Sequence, residues 1–210
     1  MTPEDLAARH PRLYHVTAAG SADLIVSGGL LSALQLLDRF EADPETRQQA
    51  TARRIRCITL RHPTYGTATI TDNRPLIMAS LARCLDGMTP PEWLQLLNER
   101  VFFWVSEAGL ATLAKSAVNR MRRVDVLVLK TLSVARAAAG RIELCPFNSG
   151  STIRRPPRRG RNTFTPLGRY SHAEWARLRA RKTPDTIREV TIIGGLMDVA
   201  PHVVDIRHAV

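Results

Sequence analysis

The segment Leu13–Thr17 places one polar ring, His15, in the middle of a short apolar stretch near the start of the chain. This pattern predicts a β-strand. A helix is predicted immediately afterwards over Ala22–Ser27, with Ser21 as its N-cap and Gly28-Gly29 at its end. A strand that leads so directly into a helix can hold a polar side chain at the floor of a cleft. The opening of the chain is therefore expected to build one wall of a ligand site.

The rest of the chain predicts strands and helices in an irregular order. The strongest strands are expected at Val101–Val105, Val124–Leu129 and Glu189–Ile193, followed by a final strand at Val203–Ile206. One of the intervening helices begins at Thr89 with the pattern of a capping box. Because strands and helices do not alternate strictly, the pattern favours an α+β fold with a mostly antiparallel sheet.

The 210 residues are expected to form one domain, 1–210, that carries a basic loop and helix at 151–182. Within that segment, 151–169 is predicted to be a loop and Ser171–Lys182 a helix. Residues 41–56 are also predicted to be helical. The sequence contains neither a glycine-rich Rossmann fingerprint nor a P-loop, so a nucleotide ligand would have to be bound in another way.

The chain is strongly basic, with 30 Lys and Arg residues against 19 Asp and Glu residues and a net charge of +11. Nearly all of the positive charge is arginine, which binds phosphate in a bidentate manner. This composition favours a nucleic acid as partner. A GC-rich genome would produce the same excess of arginine, and the composition does not separate the two explanations.

Positive charge is densest between residues 154 and 182. Five arginines of the predicted loop are candidate contacts for a phosphate backbone: Arg154, Arg155, Arg158, Arg159 and Arg161. Phe164, Tyr170 and Trp175 could stack on bases in the same segment. A solvated loop without a partner is the alternative interpretation.

The remaining composition excludes several classes of protein. The three cysteines, Cys57, Cys84 and Cys145, are too far apart for a metal or redox motif, and the histidines show no metal-ligand spacing. No segment resembles a signal peptide or approaches the length of a membrane span. We therefore expect a cytoplasmic protein that binds neither a metal nor a membrane.

Three segments resemble the motif strands of ADP-ribosyltransferases of the His-Tyr-Glu type, in particular bacterial toxins that modify DNA. They are Tyr14–Thr17, Val101–Ser106 and Ile187–Ile192. The resemblance implies a split, mostly antiparallel sheet flanked by helices, with NAD as substrate. It also implies a nucleic acid as acceptor, a role as toxin or defence effector, and a cognate antitoxin as candidate partner. Over nearly its whole length the chain resembles a bacterial family of unknown function.

The resemblance also implies roles for individual residues. His15, with Thr17 beside it, would hold the adenosine-side ribose of NAD, and Arg54 would hold the diphosphate. Glu189 would lie at the reactive ribose carbon, where a carboxylate stabilises developing positive charge or activates the acceptor.

The second motif departs from the family pattern, because no tyrosine matches the one expected in the helix after the strand. Phe103, Trp104 or Ser106 would take its place against nicotinamide. Alternation puts Phe103 and Val105 on one face of the strand and Phe102 and Trp104 on the other. The sequence does not determine which face meets the ligand.

Each of these assignments has a structural alternative. His15 could be a core histidine bonded to a backbone carbonyl, and Glu189 could be a surface glutamate paired with Arg188. The backbone amides of 148–152 could form a phosphate-binding nest or a plain turn. Two other functions also fit the sequence: a nucleic-acid-binding protein without catalytic activity, and an RNA 2′-phosphotransferase of the same fold.

Overall fold

The computed structural model describes residues 1–114, 123–153, 155–178 and 187–209. The helices within these ranges are α1 (Pro3–Arg9), α2 (Ala22–Gly28), α3 (Ala33–Arg39), α4 (Pro44–Thr51), α5 (Met78–Cys84), α6 (Pro90–Asn98), α7 (Glu107–Ala114), α8 (Thr131–Ala137) and α9 (His172–Leu178). Single 3₁₀ turns lie at Arg161–Thr163 and Ala200–His202. Across the described ranges, no helix has the length and apolar character needed to cross a lipid bilayer.

The strands in these ranges are short to medium in length. They are β1 (Arg12–Ala18), β2 (Leu30–Leu31), β3 (Ile58–His62), β4 (Gly66–Ile70), β5 (Leu85–Asp86), β6 (Arg100–Trp104), β7 (Val124–Lys130), β8 (Ile142–Cys145), β9 (Arg159–Gly160), β10 (Thr165–Pro166), β11 (Glu189–Ile193), β12 (Gly195–Leu196) and β13 (Val203–Arg207).

Seven strands form one large sheet in the order β10-β8-β11-β6-β1-β7-β13, and each neighbouring pair is antiparallel. Three two-stranded sheets, β2/β12, β3/β4 and β5/β9, lie beside it. The α+β class with a mostly antiparallel sheet is therefore confirmed. The three strongest strand predictions correspond to β6, β7 and β11.

The large sheet is split between β1 and β6. All seven residues of β1 pair with β7, whereas β1 and β6 share the single register pair Tyr14↔Trp104. Beyond Tyr14, the residues of β1 from His15 to Ala18 have no register partner among the described residues of β6. The ladder of hydrogen bonds is open along this edge, and the gap is available for a ligand.

The two faces of the sheet bury different side chains. Leu13 and Phe103 point into the main hydrophobic core. Tyr14 and Trp104 point to the opposite face, where they belong to a second apolar cluster. Glu189, the first residue of β11, pairs with Trp104 and therefore shares that second face.

The two helix starts named from the sequence, Ser21 and Thr89, are both N-cap positions in the structure. Thr89 and Glu92 form the capping box of α6, in which the Glu92 carboxylate accepts the Thr89 N–H at 2.6 Å. Ser32 caps α3 by accepting the N–H of Gln35 at 3.3 Å. Ser21 is the N-cap residue of α2 as predicted, but its side chain makes no capping hydrogen bond.

The helix predicted over 41–56 is shorter than expected, because α4 ends at Thr51. Beyond it, the backbone turns to pair with a distant segment. Arg54 donates its N–H to Oδ1 of Asn73 at 2.6 Å and accepts the Asn73 N–H at 3.0 Å. These bonds replace the helical ladder and fix the position of the Arg54 side chain.

The segment 155–178 is built into the fold, whereas the sequence predicts a loose basic loop. Strand β9 pairs with β5, and β10 pairs with β8 at the edge of the large sheet. Phe164 and Trp175 are buried in hydrophobic clusters, so the prediction that they stack on bases is wrong. The described part of the predicted helix 171–182 is α9, and residues 179–182 lie outside the described ranges.

Candidate active site

The split between β1 and β6 opens into a cleft of about 730 Å³. This volume lies within the range of sites that bind small molecules. His15, Thr17, Arg54 and Glu189 line the cleft, and all four are residues that the sequence predicts as contacts for NAD. The structure thus brings together residues from the first, second and last quarters of the chain.

His15 lies directly at the split and is partly buried. Its Nδ1 is 3.0 Å from the carbonyl oxygen of Phe102 on β6, and its ring packs 5.8 Å from that of Phe103. Because a carbonyl oxygen can only accept, Nδ1 carries the proton. Burial lowers the pKa of His15, so the ring is neutral at pH 7 and Nε2 is a hydrogen-bond acceptor. The ring is bonded to a backbone carbonyl at Nδ1 and can accept a ligand hydroxyl at Nε2.

Glu189 is a buried carboxylate, with 5% of its surface exposed. Its Oε2 accepts the hydroxyl of Ser149 at 2.7 Å and the N–H of Ser149 at 3.0 Å. Burial raises the pKa of Glu189 to about 7, against the opposing effects of these two hydrogen bonds and of the Arg159 charge. The expectation that Glu189 pairs with Arg188 at the surface is wrong. A carboxyl group with this pKa can gain or lose a proton near neutral pH.

The loop Asn148–Thr152 supplies hydrogen-bond donors to Glu189. The amide and hydroxyl of Ser149 are both directed to the Glu189 carboxylate, so they do not contribute to a phosphate nest. Thr152, at the other end of the loop, exchanges hydrogen bonds with the backbone of Ile77. The loop is therefore fixed at both ends, and Asn148 and Gly150 line the cleft on either side of buried Ser149.

The structure contradicts the predicted phosphate-backbone contacts most clearly at Arg159. It is 2% exposed, so it cannot contact a nucleic acid at the surface. Its Nη1 donates to the carbonyl of Ser149 at 3.0 Å, and its guanidinium lies 4.8 Å from the ring centre of Phe147. The pairing of β9 with β5 carries Arg159 inward beneath the site.

Two arginines give the cleft positive charge. Nε of Arg54 donates to the carbonyl of Thr71 at 2.9 Å, and Nη1 donates to Oδ1 of Asn98 at 2.9 Å. Burial lowers the pKa of Arg54 to about 10, so it is charged at neutral pH. Arg39 donates to the carbonyl of Gly28 and lies 4.4 Å from the ring centre of Tyr65.

Neither arginine forms an ion pair with a described carboxylate, although the charge of Asp72 acts on Arg54. The neighbouring carboxylate Asp72 accepts from Arg74 at 3.1 Å. Within the described ranges, Arg39 and Arg54 form no salt bridge with a carboxylate. Their charge is therefore available to an anionic group in the cleft, such as a phosphate.

The second motif meets the cleft through the face that carries Phe102 and Trp104, which both line it. Phe103 is 1% exposed in the main core, so its assignment to the ligand is wrong. Ser106 accepts the N–H of Gly109 at 3.1 Å and does not line the cleft. It acts as a cap for α7, which explains why a serine stands at this position.

Three other arginines of the basic loop are at the surface. Arg158 pairs with Asp86 at 2.5 Å and Arg161 pairs with Glu92 at 3.2 Å, while Arg155 is exposed. Arg154 lies outside the described residues. The part of the chain that the structure describes contains no group of three His, Cys, Asp or Glu side chains that could hold a metal ion.

Sequence reasoning missed Arg39 and the true role of Ser149. Arg39 lies at the end of α3, in a position that is typical of a solvated helix charge. The Asn-Ser-Gly sequence identified a special loop, but the partner of Ser149 follows 40 residues later.

Residues 11–203 match the model of a family described as a family of unknown function, DUF7002. No curated protein and no solved structure matches the chain.

Proposed function

For this chain, which belongs to the DUF7002 family of unknown function, we propose the activity of an NAD-dependent ADP-ribosyltransferase. One observation carries the proposal. His15 on β1 and Glu189 on β11 line the same cleft, on the two sides of the split in an antiparallel sheet. This is the arrangement that the resemblance of the three motif strands implies.

Binding of NAD would use side chains that line the cleft. Nε2 of neutral His15 accepts a hydrogen bond from a ribose hydroxyl. Arg54 and Arg39 neutralise the diphosphate, since neither forms a salt bridge among the described residues. Trp104 and Phe102 supply the aromatic surface for nicotinamide that the sequence assigns to this strand.

Glu189 would carry the chemical step. The bond between the ribose carbon and the nicotinamide nitrogen breaks, and its electron pair leaves with nicotinamide. The acceptor's nucleophilic atom forms the new bond to the ribose carbon, and its proton passes to the Glu189 carboxylate. A pKa of about 7 suits this role, because a general base works best when its pKa is near the working pH.

A nucleic acid is the proposed acceptor. The net charge of +11 attracts a polyanion over a distance. Arg155, Arg158 and Arg161 are exposed, and the surface ion pairs of the latter two are weak enough to exchange for phosphate contacts. A toxin or defence effector would act on such a substrate, and a cognate antitoxin would cover the same cleft.

The test is nicotinamide release from NAD by the purified protein, with and without DNA or RNA. Release that is lost in Glu189→Gln and kept in Glu45→Gln, an exposed glutamate on α4, supports a glycosidic-bond-cleaving enzyme. Stimulation by one nucleic acid identifies the acceptor. No release under any condition overturns the proposal. Salt-dependent binding of nucleic acid would then favour a binding protein, and removal of a 2′-phosphate from RNA would favour a phosphotransferase.

A further inference from the structure

Arg159 occupies an unusual environment for a charged side chain. It is 2% exposed and lies among the hydrophobic side chains around Phe147 and Trp93, with its guanidinium carbon 4.8 Å and 5.6 Å from their ring centres. Its hydrogen bonds go to backbone carbonyls, at 3.0 Å to Ser149 and 3.3 Å to Pro157. Its Nη2 makes no hydrogen bond within the described structure.

Such an arrangement does not serve stability. A buried cation that forms no direct ion pair with a carboxylate is costly, and an apolar residue of similar volume is commonly better tolerated at such a site. Arginine stays protonated even when burial lowers its pKa, as it does here. The charge of Arg159 therefore points to a task that an apolar side chain could not perform.

Arg159 is connected to Glu189 through a single residue. It binds the carbonyl of Ser149, and the amide and hydroxyl of the same Ser149 bind the Glu189 carboxylate. The three residues come from β9, the loop after β8 and the start of β11. They form a short buried chain that ends at the group proposed to carry the chemistry.

The backbone of Arg159 is held in place by close packing. Strand β9 pairs with β5 in parallel, with Arg159 opposite Leu85 and Gly160 opposite Asp86. A Cβ atom on Gly160 would lie 2.4 Å from the carbonyl oxygen of Asp86, so only glycine fits there. The side chain of Arg159 thus starts from a rigid position.

We propose that Arg159 is a positioning residue, which fixes the Ser149 loop and through it the orientation and charge of the Glu189 carboxylate. This inference rests on the proposed function for its catalytic consequence, but its structural part can be tested without NAD. The charged or titratable groups packed around Glu189 are Cys145 on β8 and Arg159 on β9. Glu143, two residues before Cys145 on β8, forms an ion pair with Arg100 on β6 at 2.8 Å. The charges of this pair cancel, so it adds no net charge near Glu189.

The experiment measures the pKa of the Glu189 carboxyl by carbon NMR in protein labelled at glutamate, with the signal assigned by its loss in Glu189→Gln. We expect Arg159→Met to raise this pKa by roughly one pH unit, because a nearby cation favours the carboxylate. Arg159→Lys keeps the charge and should restore most of the difference. The matched control is Arg158→Met, whose exposed side chain should leave the Glu189 pKa unchanged.

If Arg159→Met does not fold, the pair Arg159→Gln and Ser149→Ala replaces it, since glutamine also removes the charge. Each should raise the pKa, and the double variant should show less than the sum of both effects, since the two residues act in one chain. An unchanged Glu189 pKa in the folded variants, or additive effects, overturns the inference.

The pH profile of nicotinamide release supplies the catalytic readout. Arg159→Met should shift its rising limb to higher pH by the same amount, with KM for NAD unchanged. A shifted pKa in a protein that releases no nicotinamide would contradict the proposed function and leave the positioning role of Arg159 intact. A shifted rate profile without a shifted pKa would contradict the positioning role alone.

Discussion

His15 and Glu189 face the same cleft from opposite sides of the split, and burial drives both toward their neutral forms. The environments differ in their consequences. The pKa of His15 falls below its usual value, so the ring is uncharged throughout the neutral range. The pKa of Glu189 rises to about 7, so its charge changes within that range. The β1 wall of the cleft thus keeps a fixed charge, and the β11 wall is the one on which a proton can move.

The largest expected effect is on the kinetics of nicotinamide release, and it differs between the two walls of the cleft. Glu189→Gln should lower kcat for nicotinamide release by about 100-fold or more, the usual contribution of a general base. His15→Gln should raise KM for NAD and leave kcat within a few-fold, because under the proposed function Nε2 of His15 would bind ribose equally in the ground and transition states. Steady-state kinetics on both variants checks this. An equal loss of kcat in the two would show that the walls do not divide binding from chemistry.

The second effect concerns stability. The folded pKa of Glu189, about 7, lies above the ordinary value of 4.5. Its contribution to stability is therefore complete below pH 4.5 and is lost as the pH rises to 7. Glu189→Gln should be more stable than the native protein at pH 8, by up to about 3 kcal/mol, and equal to it near pH 4.5.

Urea unfolding at several pH values measures this difference. Glu45→Gln, on the exposed surface of α4, should follow the native profile and serves as the control. A constant gap between Glu189→Gln and the native protein across the pH range would mean that the pKa of Glu189 is the same in the folded and the unfolded protein.

The third effect is the contribution of His15 to stability, which depends on pH in the opposite direction to that of Glu189. Because the folded pKa of His15 is depressed, the stability that neutral His15 contributes is lost as the pH falls below its ordinary value of 6.5. His15→Leu should flatten the acid limb of the stability–pH profile, which is the range in which stability falls as the pH falls. It should also destabilise the protein by about 1–3 kcal/mol at pH 7, since the Phe102 carbonyl loses its partner. The same series of urea titrations tests both points, and a retained acid limb would assign it to another group.

The strands that build both walls were predictable because their signals are local. A run such as Val101–Val105 has the composition of a buried strand, and Thr89 and Glu92 specify a helix start within four residues. Alternation also defined the two faces of β6 correctly. The choice between them depended on where the sheet splits, which is a property of the pairing of β1 with β6 and is not encoded in either strand.

Arg159 and Ser149 show where sequence reasoning fails. Arg158 and Arg159 are neighbours in a basic segment, yet Arg158 is exposed and Arg159 is buried, with 2% of its surface accessible. What separates them is the pairing of β9 with Leu85–Asp86, more than 70 residues earlier. The partner of Ser149, Glu189, is 40 residues away in sequence. Long-range pairing of short segments leaves no periodic signal, so composition alone predicted a surface loop.

The smallest effect tests whether the residues next to the split belong to either wall. Ser106 follows β6 and was predicted to contact NAD, but it accepts the N–H of Gly109 at the start of α7. Ser106→Ala should lower the free energy of unfolding by about 1 kcal/mol through loss of this cap, and Ser106→Asp should keep most of it. KM for NAD should be unchanged in both variants. A raised KM with unaltered stability would place Ser106 in the binding wall and extend the site beyond the cleft residues.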